Sequence, residues 1–163
     1  MSATALQFSD LVQPGFVIDN LQADSRDDAL TTMARFLVER GHCAESFPAA
    51  ILDRERIHPS GLPMPGHKIA IPHTDSHHVT KSIILFARLA DPVEFRSMGD
   101  PEETIAVQMI SMFALKEKKL IGDMLETLIT VYQHDEILDA ILKAADAEHI
   151  FSILREAVET FGK

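Results

Sequence analysis

Three histidines and one aspartate lie within six residues in the segment "IAIPHTDSHHV", directly after a short apolar run that ends at Pro72. Proline has no backbone N–H and cannot continue a central strand, so the residue after it is expected to emerge at a strand end. Strand ends are where a rigid scaffold holds reactive side chains in reach of solvent. The four side chains that could do chemistry there are His73, Asp75, His77 and His78.

These residue types allow four interpretations. They can decorate a surface loop, or His73, Asp75, His77 and His78 can bind zinc, which takes imidazole and carboxylate ligands. A Ser-His-Asp hydrolase is a third interpretation, but the sequence contains no GxSxG element. In the fourth, His73 is itself the nucleophile, because a neutral imidazole has a free ring nitrogen that can accept a phosphoryl group. That chemistry needs no bound metal or cofactor.

A phosphorylated histidine carries about two negative charges and needs a cation beside it. Arg54, in "ILDRERIHPSG", is the predicted partner because a guanidinium stays charged and its fork matches phosphate oxygens. The alternative is a solvated charge at a helix end. Ser60, in the turn "PSG", is either a hydroxyl donor to the same anion or a plain turn residue.

Asp75 also has two interpretations. Its carboxylate can hold the tautomer of His73 or His78, as orienting carboxylates do elsewhere. It can instead cap the local turn, which is the preferred interpretation. His77 is predicted to point to solvent.

Composition limits the class of protein. A chain of 163 residues, 46% hydrophobic, can bury one sizeable core and is too short for two ordinary domains. The net charge of −10 and the absence of clustered Lys and Arg argue against nucleic-acid binding. No apolar stretch reaches membrane-span length and no leader pattern is present. With one cysteine, Cys43, and no disulfide partner, the chain is expected to be cytoplasmic, with no direct membrane insertion.

Hydrophobic periodicity predicts the elements that position the site. Amphipathic helices are expected from Ser25 to Gly41 and over "AESFPAAILDRER", and further helices follow Leu115. Between them, near-continuous apolar runs indicate strands covered on both faces. The predicted fold is α/β, a three-layer α/β/α sandwich with a mixed sheet of about five strands flanked by helices on both faces. The predicted strands are "GFVIDNL", "KIAIPH", "KSIILFARL", "VEFRSM" and "TIAVQMISMFAL".

The order "RE", "PSGL", "IAIPH" resembles the enzyme IIA component of the bacterial sugar phosphotransferase system (PTS), in the mannitol/fructose/nitrogen-type superfamily. The resemblance covers roughly residues 7–160. "IAIPHTDSHHV" is most similar to the galactitol-type branch, in which a second histidine follows the active one by five residues; His78 occupies that place. The resemblance implies one type-2 EIIA domain over residues 1–163, with residues 1–6 peripheral, and the same sandwich fold.

The resemblance also implies a function. His73 would accept a phosphoryl group from HPr on Nε2 and pass it to a cysteine of a cognate enzyme IIB, which serves the membrane enzyme IIC in sugar or polyol uptake. Arg54 would be the phosphate-stabilising arginine and Ser60 the hydroxyl residue that follows it. The chain would thus be a phosphotransferase. The alternative is a regulatory module like the nitrogen-type EIIA, which controls partners through its phosphorylation state.

One feature departs from the mannitol and fructose pattern, which has a second active-site histidine after the last long strand. No histidine occurs from 79 to 133, where the matching region is "KEKKLIGDML". His78 is the predicted local substitute. Because two partners must reach the phosphohistidine, the ring is predicted to be exposed in a shallow apolar patch that includes Leu62, Met64 and Pro65.

Overall fold

The computed structural model describes residues 7–162. A four-stranded mixed sheet has the order β1-β3-β4-β2, in which β1 is parallel to β3, β2 is parallel to β4, and β3 and β4 are antiparallel. The strands are β1 (Val12–Leu21), β2 (Ile69–Ala70), β3 (Ile83–Arg96) and β4 (Thr104–Ala114). The helices are α1 (Arg26–Glu39), α2 (Phe47–Ile57), α3 (Ile121–Tyr132), α4 (Asp135–Lys143) and α5 (Ala147–Phe161), with short 3-10 turns at Phe8–Leu11, Ser76–His78 and Lys118–Leu120.

Helices cover both faces of the sheet. Along β3, Leu85 and Ala87 pack in one core with α1 and α2, while Ile84 and Phe86 pack in a second core with α3, α4 and α5. This alternation of two buried faces explains the near-continuous apolar runs. The predicted α/β/α sandwich is confirmed. None of the helices in the described residues is both long enough and apolar enough to cross a membrane.

The predicted strand count of about five is wrong, because "KSIILFARL" and "VEFRSM" form one bent strand, β3. Its pairing with β4 runs to Arg88↔Met109 and resumes at Val93↔Val107, so β3 advances five residues where β4 advances two. Pro92, which has no N–H to donate, lies in this bulge. A bulge of this kind keeps two halves of a strand in one ladder although the apolar pattern is interrupted.

The carboxyl end of α2 and the loop after it carry part of the site. Pro48 lies in the first turn of α2, where a missing N–H costs nothing. The helix ends at Ile57, before the proline- and glycine-rich "HPSGLPMPG". The loop then crosses the end of β3, where Gly61 donates its N–H to the Arg96 carbonyl at 3.1 Å. A Cβ on Gly61 would lie 2.7 Å from that same carbonyl oxygen.

Gly61→Ala is therefore expected to destabilise the protein. Backbone must shift to relieve the overlap, and we expect the free energy of unfolding to fall by about 1–3 kcal/mol in urea denaturation. Gly122→Ala is the matched control, since a Cβ there, within α3, meets nothing within 4 Å. That change is expected to be neutral or to stabilise by up to about 1 kcal/mol. Equal losses in the two variants would contradict the close approach at Gly61.

Candidate active site

His73 follows β2 and Pro72, as predicted, but its side chain is mostly buried. The residue is 8% exposed, and its ring stacks on Phe113 with centroids 4.6 Å apart and planes 13° apart. Phe113 also donates its backbone N–H to the Pro72 carbonyl at 3.2 Å. The imidazole is thus held against β4. The prediction of an exposed ring is wrong for this conformation.

The hydrogen bond of His73 defines which ring nitrogen can react. Nδ1 lies 3.2 Å from the carbonyl oxygen of Ile71. A carbonyl oxygen only accepts, so Nδ1 carries the proton and donates it, and the lone pair of the neutral ring is on Nε2. Nε2 is buried and has no hydrogen-bond partner within residues 7–162. The nitrogen with nucleophilic character is therefore Nε2.

The pKa of His73 is lowered to about 4, mainly by burial. The positive charge of Arg54 and the nearby His58 lower this pKa further, while the Ile71 carbonyl and Asp75 raise it. The ring is thus neutral at pH 7 and its lone pair is available. Arg54 also lines a cavity with Thr74, the residue after His73.

The low pKa predicts how stability depends on pH. In the unfolded chain His73 protonates near pH 6.5, whereas in the folded protein it stays neutral down to about pH 4. Above pH 6.5 neither state is charged; as the pH falls from 6.5 towards 4, only the unfolded chain gains the proton, so the folded state loses stability. Between pH 7 and 4.5, we expect the wild type to lose about 2–3 kcal/mol more than His73→Gln, measured by urea denaturation. Parallel pH curves for the two proteins would contradict the low pKa.

A surface cavity of about 300 Å³ brings together several predicted site residues and is lined by Thr74, the residue after His73, but not by His73 itself. Arg54, from the last turn of α2, lines it with Thr74, Asp75 and His78. Its neighbour Arg56 pairs with Asp27 and Asp53, whereas the half-buried Arg54 has no ion pair within the described residues. A guanidinium without an internal partner at a cavity wall is suited to bind an anion.

His78 lines this cavity, and its ring is hydrogen-bonded to Ser46, the residue before α2. Its Nδ1 lies 2.7 Å from the hydroxyl oxygen of Ser46, and burial, then His77, lowers its pKa. His77 is exposed, as predicted, with its ring centroid 3.9 Å from that of His78. A second imidazole is therefore present at the site, five residues after His73. Its role as a second active-site histidine stays a prediction.

Asp75 performs neither of its two predicted tasks in this conformation. The Nδ1 atoms of His73 and His78 face Ile71 and Ser46, so Asp75 does not set either tautomer. It precedes the 3-10 turn Ser76–His78 but makes no side-chain capping bond. Its carboxylate is exposed and acts on His73 only through its charge, which raises the pKa of the ring.

Ser60 does not line the cavity with Arg54 and is instead hydrogen-bonded to Glu55, a residue for which no role was predicted. The Ser60 hydroxyl donates to Glu55 Oε1 at 2.7 Å, and its N–H donates to Oε2 at 2.8 Å. Glu55 is 2% exposed, and burial raises its pKa to about 7 against the opposing effects of Ser60 and Arg26. The hydroxyl proton is thus not free for a phosphoryl group here. The spacing Phe47, Ile51, Glu55 is the signal that places Glu55 on the buried face of α2.

The predicted apolar patch is wrong in its residues. Leu62 is 1% exposed and belongs to the core under α3, α4 and α5. Met64 and Pro65 line a different cavity, near Lys68 and Thr104. Instead, Ile57 is 71% exposed and lies at the wall of the cavity that Arg54 lines.

The zinc interpretation finds no ligand set in the structure. Within residues 7–162, no three His, Cys, Asp or Glu side chains converge as they would around a metal ion. His73 directs Nδ1 at a carbonyl, and His78 directs Nδ1 at Ser46.

Comparison with known proteins establishes the family. Residues 10–157 match the family described as phosphoenolpyruvate-dependent sugar phosphotransferase system, EIIA 2, and the chain belongs to this family. The family prediction is thereby confirmed. The chain is similar to the galactitol-specific EIIA component of Escherichia coli K12, 23% identical over 82% of this chain and 88% of that protein. It is also similar to the nitrogen regulatory protein of Bradyrhizobium diazoefficiens, 27% identical over 91% of this chain and 95% of that protein.

A solved structure shows the same fold. The complex of mannitol enzyme IIA with phosphorylated enzyme IIB from Escherichia coli contains a chain that superposes with a TM-score of 0.70 at 17% identity. The match covers 86% of this chain and 94% of the other. The α/β/α architecture is therefore shared with a PTS enzyme IIA.

Proposed function

We propose that the chain, as a single EIIA domain over residues 1–163, is a phosphocarrier in which His73 accepts a phosphoryl group from phospho-HPr and passes it to a cysteine of an enzyme IIB. The observation that supports this most is the state of the imidazole. The Ile71 carbonyl and the low pKa leave a lone pair on Nε2, and Arg54 lines a cavity with the next residue, Thr74. Phosphoryl transfer between proteins depends on such positioning and on charge stabilisation.

In the accepting step, the Nε2 lone pair forms a bond to phosphorus while the nitrogen–phosphorus bond of phospho-HPr breaks. The electron pair of that bond returns to the donor ring. The proton on Nδ1 of His73 stays on that nitrogen and remains hydrogen-bonded to the Ile71 carbonyl. In the second step, a thiolate of enzyme IIB attacks the same phosphorus, and the electron pair returns to Nε2. Arg54 neutralises the transferring oxygens in both steps.

The buried position of Nε2 requires an opening step before transfer. Burying a nitrogen without a hydrogen bond costs about 1–3 kcal/mol, and this cost is recovered when Nε2 is exposed to water, which favours opening. The phosphoryl product, by contrast, cannot remain in an apolar enclosure. We therefore place the phosphoryl group in the cavity lined by Arg54 and Thr74, which becomes continuous with His73 when a partner docks. Ile57, exposed at that cavity, would contact the partner.

The relatives support a role in polyol uptake. A galactitol-specific EIIA component matches most of the chain, and an enzyme IIA of this fold has been solved with a phosphorylated enzyme IIB. The proposed partners are accordingly HPr, a cognate enzyme IIB and, through it, the membrane enzyme IIC, with the chain acting in the cytoplasm. The nitrogen regulatory relative favours a second candidate, a regulatory module controlled by phosphorylation of His73.

The test is a labelling and chase experiment. The protein is incubated with labelled phosphoenolpyruvate, enzyme I and HPr, and then with a galactitol-specific enzyme IIB. We expect an acid-labile, base-stable label on this chain that moves to the IIB cysteine. Absence of label with active donors would overturn the phosphocarrier proposal. Label that forms but does not move to any enzyme IIB of the galactitol, mannitol or fructose types would favour the regulatory module.

A further inference from the structure

A continuous set of hydrogen bonds joins helix α2 to the imidazole of His73. Glu55 accepts the N–H and the hydroxyl of Ser60, at 2.8 and 2.7 Å. The Ser60 carbonyl accepts the N–H of Ile71 at 3.0 Å, and the Ile71 carbonyl accepts Nδ1–H of His73 at 3.2 Å. Three successive links, Glu55 to Ser60, Ser60 to Ile71 and Ile71 to His73, thus connect the Glu55 carboxylate to Nδ1 of the ring.

This set of bonds ties together the two halves of the site. Glu55 directly follows Arg54 in the last turn of α2, so one helical turn places a guanidinium at the cavity and a carboxylate under the loop. Ser60 and Ile71 belong to two other segments, the loop after α2 and the segment that directly follows β2. The bonds between Glu55 and Ser60 therefore link the helix that carries Arg54 to the segment that leads to His73.

Stability alone does not explain a buried carboxylate at this place. Ionised or neutral, a carboxyl group that is 2% exposed has lost its hydration, and apolar residues of similar volume often serve a core as well or better. What an apolar residue cannot do is accept two hydrogen bonds from one loop residue. Arg26 and Asp27, at the start of α1, shift the pKa of Glu55 in opposite directions, and each by less than burial or the Ser60 hydrogen bonds do.

We infer that Glu55 is a positioning residue for phosphoryl transfer: by clamping Ser60 it fixes the Ile71 carbonyl, and through that carbonyl the tautomer and orientation of the His73 ring relative to Arg54. The inference rests on the proposed phosphocarrier role of His73. It assigns Ser60 a task in the site without direct contact to the phosphoryl group. Glu55 itself touches no reacting atom.

Three substitutions of Glu55 separate positioning from packing. Glu55→Gln preserves the clamp, because its amide oxygen can accept the Ser60 N–H while its NH₂ donates to the Ser60 hydroxyl oxygen. Glu55→Met has a similar volume but accepts no hydrogen bond of this kind. Glu55→Asp keeps the charge but withdraws the carboxylate by one methylene, so it cannot reach both donors. Ser60→Ala, which keeps the backbone N–H, loses one of the two bonds.

Two readouts are measured on each folded variant. The first is the ¹⁵N NMR signature of the His73 ring at pH 7, which reports whether Nδ1 carries the proton and requires no phosphoryl donor. The second is the single-turnover rate of phosphoryl transfer from phospho-HPr. For Glu55→Met and Glu55→Asp we expect a mixed tautomer signature and a rate lower by about 10- to 100-fold, as for other misplaced catalytic groups. For Glu55→Gln we expect a wild-type signature and a rate within about threefold.

The outcomes distinguish this inference from the proposed function. A wild-type ring signature and rate in Glu55→Met would overturn the positioning role while leaving the phosphocarrier proposal intact. Failure of the wild type to accept phosphate would overturn the phosphocarrier proposal, and the ring signature would still report on the clamp. If Glu55→Met does not fold, the comparison of Glu55→Asp with Glu55→Gln decides, and equal behaviour of those two variants would overturn the inference.

Discussion

His73→Ala is expected to abolish acceptance of the phosphoryl group from phospho-HPr. The variant lacks the ring whose Nε2 lone pair is defined by the Ile71 carbonyl at Nδ1 and whose pKa, about 4, keeps it neutral at pH 7. We expect acid-labile labelling to fall to background in the assay with phosphoenolpyruvate, enzyme I and HPr.

His77→Ala is the matched control for this prediction. His77 lies four residues further on, is exposed and shares the same segment, so a general loss of histidine labelling would affect both variants. We expect its labelling to equal that of the wild type. Because His73 also packs on Phe113, circular dichroism must show that His73→Ala is folded. Full labelling of a folded His73→Ala protein would contradict the assignment.

Arg54→Ala is expected to slow transfer while the fold remains intact. The guanidinium is half-buried at the cavity, lowers the pKa of His73 and has no ion pair within residues 7–162, so its removal leaves no unpaired carboxylate behind. We expect the single-turnover rate of transfer from phospho-HPr to fall by about 100-fold, as for the loss of one charge-stabilising donor. Arg54→Lys should recover part of the rate, because ammonium keeps the charge but not the bidentate fork.

Arg56→Ala controls for the loss of a positive charge on the same helix. Arg56 is exposed and pairs with Asp27 and with Asp53; Asp53 lines the cavity, but Arg56 itself does not. Its removal changes the net charge equally and is expected to change the rate by less than about threefold. Similar losses for Arg54→Ala and Arg56→Ala would show that Arg54 acts only through the overall charge.

Hydrophobic periodicity was sufficient to predict the layers of this fold because each strand of the central pair is buried on two faces. It failed at the bulge around Pro92, since pairing across an interruption depends on β4 and not on the local pattern. The local pattern was also sufficient to predict that Arg54 lies at a helix end and that His73 follows a strand. The apolar pattern marks the end of α2, and Pro72 marks the end of the segment that contains β2.

The partners of the polar side chains could not be predicted from the sequence. Ser60 and Glu55 are five residues apart, but only the path of the loop turns the hydroxyl towards the carboxylate. The exposure of His73 was also predicted wrongly, because the ring stacks on Phe113, forty residues away on β4. Such contacts depend on tertiary packing, which spacing and residue type do not encode.

The most direct test of the account is to identify the phosphorylated atom. Protein labelled with ¹⁵N is phosphorylated through HPr and examined under alkaline conditions by NMR that correlates ³¹P with ring ¹⁵N. The account predicts a single phosphorus–nitrogen bond at Nε2 of His73, with the proton retained on Nδ1. A bond at Nδ1 of His73, or at either nitrogen of His77 or His78, would contradict it.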